Sequence, residues 1–105
     1  MSGTTRKQRL EAMLAEAPND PEVRYALAME HASGGDDEQA VRCFRELLER
    51  SADYAPAYHQ AGRALHRLGR IAEARATLER GIPVALHLNN SHAAGEMQEL
   101  LDNLD

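Results

Sequence analysis

Five histidines, one cysteine and a surplus of carboxylates are the residues of this 105-residue chain that could do chemistry. Imidazoles and carboxylates hold metal ions or move protons when the fold brings them together, and on a single helix a shared ion requires a spacing of four residues. His31, His59, His66, His87 and His92 never stand four apart, and no HExxH pattern occurs. His59 and His66 lie seven apart, which puts them on one helical face but about 10 Å from each other along the axis. Cys43 is single, so neither an intrachain disulfide nor a cysteine metal cage can form. It falls in the middle of a helical pattern, away from the helix N-terminus or basic cluster that would activate a thiol. Gly34-Gly35 is followed by Asp36, Asp37 and Glu38, which would repel a phosphate. No enzyme, no metal and no cofactor are expected; an enzyme built on His59 or His66 would have to show activity that either His→Ala change abolishes.

The remaining charge points to a different kind of function. A formal net charge of −5 argues against nucleic acid, whose binders displace counterions with a basic surface. Charge is also unevenly spread. Residues 16 to 54 carry ten acids and four arginines, whereas residues 55 to 80 carry five arginines and only Glu73 and Glu79. The basic N-terminus has no apolar stretch behind it long enough for a signal peptide or membrane span, so no membrane partner and a cytoplasmic location are expected.

Positioning such residues falls to helices. With no Trp, one Phe and three Tyr, the core must be built from Ala and aliphatic side chains, which suits closely packed helices. A repeat is visible: Gly35, Gln39-Ala40, Phe44 and Leu48 recur 34 positions later as Gly69, Glu73-Ala74, Leu78 and Ile82. Each unit reads as two helices joined by a tight turn, with apolar residues three and four apart. Asp20 and Pro21 start the first, Gly34-Gly35 end its first helix, and Asp36 or Asp37 caps the next. Ala28, Ala40, Gly62 and Ala74 are small where helices cross closely. Ser91 can cap a last helix with Met97, Leu100, Leu101 and Leu104 inward and Gln98, Glu99, Asp102 and Asp105 outward. Pro83 falls inside the second unit's last helix, and a kink or early stop near Gly81 to Pro83, with His87 to Asn90 irregular, is expected.

These residues resemble the tetratricopeptide repeat, through Tyr58, Gly62, Leu65, Ala74, Leu78 and Gly81 in the second unit and Leu27, Ala28, His31, Ala40, Phe44 and Leu47 in the first. Arg24 stands where a large apolar residue belongs, and Ala52 and Leu86 replace the closing Pro. The resemblance implies an all-α fold of antiparallel helix hairpins, a single domain over residues 1–105. Within it, residues 5–17 form an N-terminal half-repeat, 21–54 and 55–88 two full repeats, and 91–104 a capping helix.

The resemblance also implies a protein-interaction module with a concave groove. The family's groove positions correspond to Glu22, Tyr25, Met29, Ala32 and Ser33, then Pro56, His59, Arg63, His66 and Arg67. From helical period alone, His59, Arg63, His66 or Arg67, and Arg70 form a stripe without an acid, suited to a carboxylate-bearing peptide. The alternative is that these arginines are solvated or pair with acids of the first repeat. Chaperone-binding members clamp a terminal carboxylate with Lys and Asn; Tyr25 and Met29 stand there, which disfavours that ligand. A competing function is self-assembly into a homodimer, with Met97, Leu100, Leu101 and Leu104 packing on a twin chain rather than on Ile82 and Leu78.

Overall fold

A computed structural model describes residues 3–104. Six helices occur, and no strand among the described residues: α1 (Arg6–Glu16), α2 (Pro21–Ser33), α3 (Asp37–Arg50), α4 (Ala55–Arg67), α5 (Ile71–His87) and α6 (Ser91–Asp102). The starts of α1, α2, α3 and α6 follow from side chains that satisfy free N–H groups, whereas α4 and α5 begin without a side-chain cap. The Thr5 hydroxyl accepts from the Gln8 N–H at 3.1 Å while the Gln8 side chain accepts from the Thr5 N–H at 2.8 Å. Asp20 caps α2 and Asp36 caps α3. Asn90, not Ser91, caps α6, accepting from the Ala93 N–H at 3.0 Å; Ser91 is the first helical residue. The predicted outward position of Asp105 lies outside the described residues.

The turns after α2, α4 and α5 share one design. The Asp36 N–H reaches back to the His31 carbonyl and the Gly35 N–H to that of Ala32. Arg70 to Leu65 with Gly69 to His66, and Asn90 to Ala85 with Asn89 to Leu86, repeat the pair. This double closure needs a left-handed residue, supplied by Gly35 (φ 83°), Gly69 (φ 76°) and Asn89 (φ 59°). The predicted break at Pro83 is therefore corrected. Helix α5 runs unbroken through Pro83 to His87, and only residues 88–90 turn. Proline removes a hydrogen bond to Glu79, an exposed residue whose carbonyl solvent can serve. Leu78, Gly81 and Ala85 are buried on both sides of it, and that burial outweighs a penalty of roughly 3 kcal/mol.

Each helix packs on the next. In addition the backbones of α2 and α4, and of α4 and α6, approach closely, whereas those of α1, α3 and α5 stay apart from one another. The array is thus curved, with α2, α4 and α6 crowded on the concave side. Two core clusters fill it, one around Ala28, Phe44 and Leu47, the other around Tyr58, Leu65, Leu78 and Met97. Met97 is fully buried and Leu104 nearly so, in a cluster that includes Leu78 and Ile82. Met97 and Leu104 are thus packed within the chain, while Leu100 and Leu101 on the same helix stay partly exposed.

Arg24 takes the place of the missing apolar residue by burying its stem. It is 9% exposed, and its Nε donates to the Pro18 carbonyl at 2.7 Å. Thirty-four residues on, the Tyr58 hydroxyl donates to the Ala52 carbonyl at the same 2.7 Å. Both side chains tie the turn before the helix to the helix itself. Gly62 and Gly81 mark the closest crossings. A Cβ on Gly62 would lie 2.7 Å from Leu78 Cδ2; one on Gly81 would overlap Tyr58 Cβ and sit 2.7 Å from Met97 Sδ. Gly81→Ala is expected to destabilise by about 1–3 kcal/mol through forced displacement of α4 or α6. Gly95→Ala, in open space on α6, is expected to raise stability by up to about 1 kcal/mol. Thermal or urea unfolding of both variants against the parent checks the opposite signs.

Candidate functional site

Helices α2, α4 and α6 each present one face to the concave side, and two clefts run between them. The first, of 200 Å³, is lined by Met29, Ala32 and Ser33 from α2 and Gln60, Arg63 and Arg67 from α4. The second, of 330 Å³, is lined by His59 and Arg63 from α4 and Glu96, Glu99, Leu100 and Asn103 from α6. Arg63 belongs to both, at the middle of the wall.

Of the predicted groove residues, the structure brings Met29, Arg63 and Arg67 to the first cleft and His59 to the second. Tyr25 stands on α2 with its ring 5.9 Å from that of Phe44 and 5.3 Å from that of Tyr54. Burial raises the Tyr25 hydroxyl's pKa, as does Tyr54, against the opposing pull of the Arg63 charge. His66 is exposed near the end of α4 and lines neither cleft. Burial lowers the His59 pKa, opposed by Glu96 and assisted by Arg63, so the imidazole is neutral near pH 7.

The expected continuous basic stripe divides in two. Arg67 makes a fork to Asp37, Nη2 to Oδ1 at 2.8 Å and Nε to Oδ2 at 3.0 Å. Arg70 lies in the turn before α5, 3.0 Å from Glu38 and 3.2 Å from Glu73. Both arginines therefore meet acids of the first repeat or of α5, and Arg45 adds a 2.9 Å bond from α3 to Glu73 on α5. Arg63 alone of the three stripe arginines forms no ion pair among the described residues.

Sequence reasoning missed Gln60 and the whole α6 wall. Helices α2, α4 and α6 start at Pro21, Ala55 and Ser91, spacings of 34 and 36 residues. Carried forward by 36, the positions of Arg63 and Arg67 fall on Glu99 and Asn103, both of which line the second cleft. The signal was the Asn89-Asn90 pair, which marks a late turn and a shifted start. Among the described residues no group of three His, Cys, Asp or Glu side chains is placed to hold a metal ion. Cys43 is half-buried on α3, and burial raises its pKa. No described helix is long and apolar enough to cross a membrane.

The Arg67 fork holds the Asp37 carboxyl below its ordinary pKa. A carboxylate depressed on folding adds stability in full above its unfolded pKa, near 3.9, and loses it as pH falls through the folded value. Arg67→Ala is therefore expected to cost about 0.5–1 kcal/mol at pH 7. Urea titrations between pH 7 and 2 check that the difference from the parent shrinks below about pH 4 and vanishes once Asp37 is protonated.

The geometry has counterparts among known proteins. A family model described as tetratricopeptide repeat matches residues 2–74. The TPR repeat-containing protein PA0015 of Pseudomonas aeruginosa is 29% identical over 96 residues, 91% of each chain. The crystal structure of a tetratricopeptide repeat domain protein from Salinibacter ruber aligns with a TM-score of 0.74 at 35% identity, over 78% of this chain and 91% of that one. The solution structure of protein BPP2914 from Bordetella parapertussis aligns with a TM-score of 0.82 at 27% identity, over 94% and 86%. Helix hairpins repeating every 34 residues, with small residues at their crossings and a matching family model, make this chain a member of the tetratricopeptide-repeat family, whose proteins are in general non-catalytic modules for binding other proteins.

Proposed function

We propose that the concave wall of α2, α4 and α6 binds a segment of another protein, and that residues 1–105 act as a single binding unit in the cytoplasm. The observation that carries this reading is Arg63: a guanidinium shared by both clefts, central on the wall and without an ion pair among the described residues. A cation held open in a concave site is suited to a carboxylate, which it can meet through two parallel charge-assisted hydrogen bonds. Tyr25 and Met29 flank it on α2 with apolar and aromatic surface that a partner's side chain can cover. Arg67 and Arg70 act in this reading as ties between repeats that keep the wall in shape. An acidic or acid-containing protein segment fits better than nucleic acid, given the net charge of −5 and the carboxylates of α6 within the wall.

A photo-crosslinking amino acid at Ser33, an exposed lining residue of the first cleft, tests this against the same amino acid at Arg75, exposed on α5. In an extract of its native cells, discrete protein adducts are expected from the Ser33 position and not from Arg75, and Arg63→Glu is expected to remove them. Equal adducts from both positions, or Ser33 adducts that survive Arg63→Glu, would contradict the assignment.

A further inference from the structure

Chemistry changes along the wall in one direction. At the α2 end, Tyr25, Met29 and Ala32 are apolar or aromatic, and of the two arginines that share their cleft Arg67 is already bound to Asp37. Arg63 stands open in the middle. At the α6 end, Glu96 and Glu99 face the second cleft from the side opposite Arg63. Glu99 has no cation within ion-pair distance among the described residues, and Glu96 reaches only the exposed His92, at 3.6 Å. Opposite charges thus line the same cleft without neutralising one another.

We propose that the groove selects its ligand by charge order: an apolar residue on Tyr25 and Met29, then an acidic residue on Arg63, then a basic residue on Glu99 and Glu96. This inference rests on the groove being the binding surface. Packed helices lie about 8–10 Å apart, and an extended chain advances about 3.3 Å per residue, so each successive anchor is roughly three residues from the last. An extended ligand crossing the three helices therefore reads apolar, acid, base from the α2 end, whichever way its backbone runs. A ligand with acid and base exchanged places an acid against Glu99 and a base against Arg63, a double repulsion that rejects it.

The test uses four peptides on the full chain: Leu-Ser-Ser-Glu-Ser-Ser-Lys, its reverse, and the two forms with Glu and Lys exchanged. Binding is read by amide chemical-shift titration, which locates weak contacts. At least one peptide of the apolar–acid–base order is expected to bind roughly fivefold more tightly than its exchanged form. The Arg63→Glu/Glu99→Arg double variant is expected to invert the preference, and Glu99→Gln alone to weaken it; both positions are exposed, so each variant keeps the fold. Shifts confined to α2, α4 and α6 but equal for all four peptides would overturn charge order and leave the groove in place. No shifts with any peptide, or shifts on α3 and α5, would overturn the groove assignment together with it.

Discussion

The absence of a side chain at Gly81 is the constraint on which the concave wall depends. At that point α5 lies so close to Tyr58 of α4 and Met97 of α6 that even a methyl group has no room. Close approach lets one helix bind two others at once, so α4, α5 and α6 share a cluster with Tyr58, Leu65, Leu78 and Met97 at its centre. Two repeats alone offer less than the three usually needed for a continuous core. Helix α6, locked down at this crossing, supplies the missing layer and in the same act becomes the third wall of the groove.

The two repeats solve a second problem with different side chains. Each inner helix must be fixed to the turn that precedes it, and a donor six residues beyond the turn's carbonyl does this in both cases. Tyr58 does so with a hydroxyl and Arg24 with a guanidinium. Arginine serves because its stem packs like an apolar side chain while its head finds the Pro18 carbonyl and, at 3.5 Å, Glu46. Lateral order between repeats comes from the Arg67–Asp37 fork and the Arg45–Glu73–Arg70 cluster. Those cations are therefore absorbed by the architecture, which leaves Arg63 as the stripe arginine without an ion pair among the described residues.

Helical periodicity, the 34-residue spacing and the small residues at crossings made the all-helical repeat fold legible before any coordinates, because each is a local pattern with one physical cause. Long-range electrostatics were harder. That Arg67 and Arg70 meet Asp37, Glu38 and Glu73 depends on how the repeats stack, and the sequence offered pairing with first-repeat acids only as one alternative. Pro83 misled because a local rule set its expected effect, whereas burial on both sides of it decided the outcome. The α6 wall was hidden by a two-residue shift: α5 continues to His87 and turns on Asn89 instead of Gly, so positions projected at 34 residues miss Glu99 and Asn103. A left-handed Asn is harder to recognise than Gly, since most Asn residues in loops take ordinary φ values.

The central claim is that α6 is a fixed wall of the groove, held through Gly81, and not a loosely attached cap. Native-state amide hydrogen exchange on the full chain tests it directly, since exchange reports the free energy needed to open each segment. Amides in the middle of α6, around Met97, are expected to exchange with opening free energies close to those of α4 and α5. Fast exchange throughout α6, with α4 and α5 still protected, would mean that the wall opens independently, and would contradict the account.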